Sequence, residues 1–131
     1  NALSNPNLVN YLSSILKQKS DRVDSILSLR DKIERIMNNY EDHYNLITIE
    51  EISNHFGLST NSLRNQLLKE NATFREIFND FKLKKSKHMI KDGLSIKVIS
   101  YHLGYSEPSS FVRWFKGQTQ LTPTAFKINA R

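Results

Sequence analysis

Two short runs hold the side chains best suited to reading a polyanion. The first is Ser59, Thr60, Asn61, Arg64 and Asn65; the second is Ser106, Pro108, Ser109, Val112, Arg113 and Lys116. Each falls at the start of a helix predicted from spacing. The polar members lie off the apolar stripe, which is Leu63, Leu67 and Leu68 in the first run and Phe111, Trp114 and Phe115 in the second. A guanidinium such as that of Arg64 or Arg113 can bond guanine O6 and N7 together. A carboxamide such as that of Asn61 or Asn65 can do the same for adenine N6 and N7, and Val112 suits a thymine methyl. Serine hydroxyls and Lys116 suit phosphate oxygens. The plainer reading of both runs is an ordinary polar surface.

Other chemistries lack their residues. There is no cysteine, which removes disulfide scaffolds, thiolate metal sites and thiol nucleophiles. His43, His55, His88 and His102 are scattered, with no His-x₃-His pair and no accompanying carboxylate, so no metal site is expected. No nucleophile motif or phosphate-cradling glycine loop occurs. Asp21, Asp24, Asp31 and Glu34 are interleaved with Arg and Lys along one predicted helix, which reads as pairing within the helix. Neither an enzyme nor a cofactor is expected. No apolar run approaches the ~18 residues of a membrane span, and no signal peptide opens the chain.

The elements that must position the two runs are helices. The 131 residues hold only 4 Gly and 3 Pro, and 38% are hydrophobic. That is enough for one compact core and argues against disorder. Net charge is +6. Residues 1–43 carry equal numbers of acidic and basic side chains, so the whole excess belongs to residues 44–131. Asn5-Pro6 opens a short amphipathic helix to about Lys17. Ser20 and Asp21 are expected to cap a longer one, with Ile26, Leu29, Ile33, Ile36 and Tyr40 as its core-facing stripe. Then come short capped helices. Thr48 opens Ile49–Phe56, Ser59 opens a helix to about Glu70, and Thr73 opens a long one to Lys91, halted by Gly93. Ser95 opens Ile96–Leu103, Ser106 or Glu107 opens a helix to about Gln118, and Thr122-Pro123 opens the last. No period-2 run is long enough for a strand, and the fold class is all-α.

An internal repeat organises these helices. Ile49–Ser59 lies over Ile96–Ser106 at an offset of 47, matching Ile49/Ile96, Ile52/Ile99, Ser53/Ser100, His55/His102, Gly57/Gly104 and Ser59/Ser106. One extra residue in the second copy then moves the offset to 48 and aligns Ser62/Ser110, Leu63/Phe111 and Leu67/Phe115. Each copy reads as a capped helix, a glycine corner, an apolar plug (Leu58 or Tyr105), a serine and a second helix. That is helix-turn-helix syntax. The helix between the copies would span about 28 Å. It could hold the two second helices about one duplex turn apart, in successive major grooves. Lys82, Lys84, Lys85, Lys87 and Lys91 on it form the densest basic cluster, either contacting the DNA backbone or forming a solvated face. Trp114, at helical spacing from Phe111 and Phe115, reads as core rather than base-stacking.

From about Ile47 to Arg131 the chain resembles the DNA-binding domain of the arabinose-operon regulator (AraC/XylS) family. The most specific stretch is Ser95–Lys116 followed by Leu121-Thr122-Pro123, and the run LGYSEPSSF at Leu103–Phe111 is similar to the ornithine-utilisation-regulator-like branch. The resemblance implies two helix-turn-helix subdomains on a linker helix, with the two runs above facing DNA. It also implies that residues 1–43 are the tail of a sensing or dimerising domain, or its connector. Where the family usually has a basic residue, this chain has Asn65; where it usually has Gly, this chain has Asn71 and Gln120.

The expected function is sequence-specific binding of double-stranded DNA by a bacterial transcription regulator, an activator acting in the cytoplasm on the nucleoid. RNA polymerase is an expected partner, and a homodimer would form through the N-terminal domain. The alternative is a helical interaction module for an acidic partner such as a polymerase subunit.

Overall fold

In the computed structural model, residues 7–16, 27–41 and 43–129 are described. Among them are eight α-helices and no strand: α1 (7–16), α2 (Leu29–Asn38), α3 (Ile49–His55), α4 (Thr60–Lys69), α5 (Phe74–Lys91), α6 (Ile96–His102), α7 (Pro108–Thr119) and α8 (Pro123–Asn129). A 3₁₀ turn, Tyr44–Leu46, joins α2 to α3.

Side-chain caps set most of the helix starts. Ser28, Thr48, Ser59, Thr73 and Ser95 each accept from the backbone N–H three residues on, at 3.1–3.2 Å. Thr122 does the same for Ala125. Each such cap is worth about 1 kcal/mol. The α2 boundary differs from the sequence expectation. Ser28, with extended backbone, is its N-cap, so the helix does not run continuously from Ser20. Ser20 and Asp21 themselves lie outside the described residues. α1 is largely exposed, with Tyr11 and Leu16 open to solvent.

One continuous core runs through the molecule. Ile33 and Met37 of α2, Ile52 of α3, Leu63 and Leu67 of α4, Ile77 of α5, Ile99 of α6, and Phe111 and Phe115 of α7 are fully buried within it. Burying a side chain of this size stabilises by about 1.5–3 kcal/mol. Leu29, Ile36 and Tyr40 pack against the same cluster. Ion pairs fasten α2 to α5 as well: Arg30 pairs with Asp80, and Lys84 with Glu34 at 3.5 Å.

The repeat reappears as matched hydrogen bonds. Ser53 and Ser100 each donate a hydroxyl to the carbonyl four residues back at 2.7 Å. Leu58 N–H reaches Ser53 O at 3.0 Å, and Tyr105 N–H reaches Ser100 O at 2.9 Å. These six-to-one bonds close each corner. The paired histidines do not share one environment: His55 is exposed beside Tyr40, whereas His102 is half-buried beside Tyr101. Between the units α5 has 18 residues, about 27 Å long.

The two corners also differ in their surroundings. Gly104 adopts φ +86°, and a Cβ there would stand 2.7 Å from Asn45 Cβ and 3.0 Å from Asn45 Cα. The 3₁₀ turn therefore lies flat against the second unit's corner. Tyr44, next in that turn, meets Phe81 of α5 edge-on at 5.1 Å. Gly57, the matching glycine of the first unit, has open space where its Cβ would be.

Candidate nucleic-acid interface

α4 buries Leu63 and Leu67, and that seating decides what it shows to solvent. Asn61, Arg64 and Asn65 are exposed and Thr60 is half-buried. Asn61 Oδ1 accepts from the Arg64 guanidinium at 3.5 Å, a contact long enough to be exchanged for a better acceptor. The Ser59 hydroxyl is already engaged: it accepts from Ser62 N–H at 3.1 Å and donates to Ser62 Oγ at 3.0 Å. Leu68, expected on the apolar stripe, is 60% exposed. It lines a groove of about 340 Å³ with Ile49, Ala72 and Phe74, and both Arg64 and Arg75 border that groove. Arg75 was not singled out from sequence, because it stands at the head of the linker helix, outside the repeat.

α7 is seated by Phe111 and Phe115. Pro108, Ser109, Arg113 and Lys116 are exposed, and Val112 is half-buried against the core. Of the two possible cap residues, Glu107 is the N-cap; it makes no side-chain cap bond, and Pro108 opens the helix. Ser106 is exposed ahead of the cap, so it does not repeat the role of Ser59. The extra residue in the second copy falls here and moves the helix start by one. Among the described residues no hydrogen bond or ion pair joins the α4 set to the α7 set. They are two separate faces carried by one core.

The linker lysines are engaged locally. Lys84 pairs with Glu34, Lys85 lies over the Phe81 ring at 5.5 Å, and Lys87 and Lys91 lie over Phe126 at 5.7 and 5.8 Å. Lys82 is half-buried among aromatic rings rather than on an open basic face. Trp114 packs against the core, 6.1 Å from Tyr105 and 6.3 Å from Phe111. Ser86 is fully buried and donates to Leu83 O. Among the described residues no group of His, Asp or Glu is arranged to hold a metal ion, and no helix is long and apolar enough to cross a membrane.

Two corners of the same design, one linker helix and two exposed second helices define a tandem helix-turn-helix protein. A family model described as a helix-turn-helix domain matches residues 52–128. The chain belongs to the AraC-type helix-turn-helix family of transcription regulators. It is 31% identical over 120 residues to the transcriptional activator PerA of Escherichia coli O127:H6, covering 88% of this chain and 44% of PerA. It is 32% identical over 108 residues to the virulence regulon transcriptional activator VirF of Shigella flexneri, covering 81% of this chain and 40% of VirF. The chain thus spans less than half the length of these curated relatives. The fold matches a DNA-binding transcriptional dual regulator from Escherichia coli K-12 with a TM-score of 0.71 at 21% identity, over 79% of this chain and 93% of that one. It matches the transcriptional regulator CdpR of Pseudomonas aeruginosa with a TM-score of 0.69 at 22% identity, over 76% of this chain and 31% of that one.

Proposed function

We propose that this chain is the sequence-specific DNA-binding part of a bacterial transcription activator, and that α4 and α7 enter successive major grooves. One observation carries the reading: each second helix buries its apolar side in a common core and turns a guanidinium outward, Arg64 on α4 and Arg113 on α7. Arg64, Asn61 and Asn65 would read the first block of bases; Arg113, Val112 and Ser109 would read the second. Thr60, Pro108 and the hydroxyls of Ser59 and Ser106 border the phosphates, and Lys116 and Arg75 supply charge to them. Residues 1–43 would connect the DNA-binding segment 44–131 to a sensing or dimerising domain, with α2 docking that connection onto α5. Two curated relatives are named as activators, which supports contact with RNA polymerase and work in the cytoplasm on nucleoid DNA. Family and site alike support binding rather than catalysis.

The test is selection of random duplex DNA by the 131-residue chain, with the bound pool sequenced and binding repeated at two salt concentrations. Two enriched blocks about one helical turn apart are expected. Arg113→Ala should cost ~1–3 kcal/mol and relax preference in the second block alone. Salt-sensitive binding without enrichment, or an Arg113→Ala pool identical to wild type, would overturn the docking.

A further inference from the structure

Lys82 lies in mid-α5, and burial lowers the pKa of its ammonium from the ordinary lysine value. Its Nζ faces three rings: Trp114 at 4.6 Å, and Phe78 and Tyr105 at 5.1 Å each. It also donates to the Tyr105 hydroxyl at 3.1 Å. No carboxylate among the described residues pairs with it. Phe78 and Lys82 belong to the linker helix. Tyr105 is the corner plug of the second unit, and Trp114 stands on α7 directly after Arg113. A single cation therefore joins the linker helix to both the corner and the exposed helix of the second unit. A cation over ring faces is attracted by their quadrupoles, more strongly when water is excluded.

The position on α7 matters as much as the attraction. Successive residues on a helix are separated by about 100°. An arginine tip ~8 Å from the axis swings by about 3 Å when its helix turns by about 20°, whereas a productive contact tolerates a displacement of roughly 0.5 Å. Trp114 is held by the cation, and its neighbours Arg113 and Val112 take their direction from it. Phe111 and Phe115 seat the same face of α7 in the core beside Trp114, and the cation adds to that packing a contact that depends on where the Trp114 ring points.

We propose that Lys82 is a positioning residue for α7: its caged ammonium locks the rotation of that helix on α5 and so sets which bases Arg113 and Val112 read. The inference rests on the groove-reading role proposed above. It differs from a phosphate role for Lys82, which would weaken binding to all sequences alike and lower the salt dependence.

Lys82→Met keeps length and apolar packing but removes the charge; Lys82→Arg keeps a cation that stacks on aromatic faces. Both variants and the wild-type chain are put through the duplex selection, followed by affinity for the selected site across a salt series. For Lys82→Met the first block should be enriched as in wild type, and the second should lose base preference. Affinity should fall about tenfold with the salt slope unchanged. Lys82→Arg should restore the second block. Near-ultraviolet circular dichroism of Trp114, the single tryptophan, should change in Lys82→Met and recover in Lys82→Arg. If Lys82→Met does not fold, Trp114→Phe shrinks one wall of the cage and is read by the duplex selection and the salt series, with loss of preference in the second block alone expected and a pool identical to wild type overturning the inference. A Lys82→Met pool identical to wild type overturns the inference, as does a uniform loss over both blocks with the salt slope reduced by about 0.9. A folded Lys82→Arg without rescue overturns it too. A wild-type pool without a second block overturns the underlying reading and this inference together, which separates the two failures.

Discussion

Gly104 and Gly93 form a controlled pair for measuring how tightly the 3₁₀ turn is pressed on the second unit. Their backbones are nearly identical, at φ +86° and +85°. An alanine at either position must adopt a left-handed conformation, costing about 1–2 kcal/mol. There the likeness ends. Gly93 has open space where its Cβ would be, while at Gly104 that atom would stand 2.7 Å from Asn45 Cβ and 3.0 Å from Asn45 Cα. Backbone must move to admit it, and overpacking of that kind adds about 1–3 kcal/mol. Gly93→Ala should therefore lose ~1–2 kcal/mol and Gly104→Ala about 2–5 kcal/mol. The assay is urea unfolding followed by far-ultraviolet circular dichroism, with the slope checked for constancy. Asn45→Gly in the Gly104→Ala background removes the nearest atom and should recover part of the excess, giving a double-mutant coupling of about 0.5–3 kcal/mol. Equal losses for the two alanine variants, or no coupling with Asn45, would refute the reasoning.

Gln120 sits at φ +65° after α7, where a left-handed backbone favours glycine. Gln120→Gly should stabilise by about 0.5–1 kcal/mol, read as a rise of a few degrees in the thermal midpoint. Met37→Ala empties a fully buried site and should cost about 2–5 kcal/mol by urea unfolding. A loss below 0.5 kcal/mol, within the range of ordinary surface changes, would show that α2 does not share the core. Burial pushes the Tyr105 phenol up to about 12. Its folded-state value exceeds the unfolded one, so its contribution to stability is complete below about pH 10 and is lost as pH rises toward 12. Absorbance at 295 nm should show a late-ionising tyrosine component near pH 12, and Tyr105→Phe should remove it.

The helix starts were legible because caps are local. Thr48, Ser59, Thr73 and Ser95 bond N–H groups three residues away, and the sequence holds that whole interaction. The corners were legible for the same reason, each needing a glycine followed by an apolar plug. Ser28 was missed because the apolar spacing runs across it, and periodicity alone cannot say where a helix begins. Met37 was missed although it lies one turn from Ile33; both are fully buried. The candidate faces on α4 and α7 followed from the apolar stripe, with Leu68 the exception, because it borders a groove rather than the core. What could not be read was partnership across the chain. Lys82 looked like one more charge on a basic helix, and its cage needs Tyr105 and Trp114, which are distant in sequence and brought to it only by the fold. The glycines usual at positions 71 and 120 are explained by conformation: Asn71 and Gln120 both adopt positive φ, at 57° and 65°. Asparagine accepts that region more readily than glutamine.

The continuous core has a mechanical consequence. Phe111 and Phe115 share one packed interior with Leu63, Leu67 and Ile33, and interiors packed like organic crystals compress little. The two exposed helices are in effect the jaws of a stiff caliper. On duplex whose grooves do not match that gauge, the compliance has to come from the nucleic acid, where a smooth bend of 40–90° over a short site costs about 1–6 kcal/mol. Flexible pyrimidine–purine steps between the two blocks lower that cost. A stiff A-tract in the same place raises it, so bases that touch no side chain would still be selected.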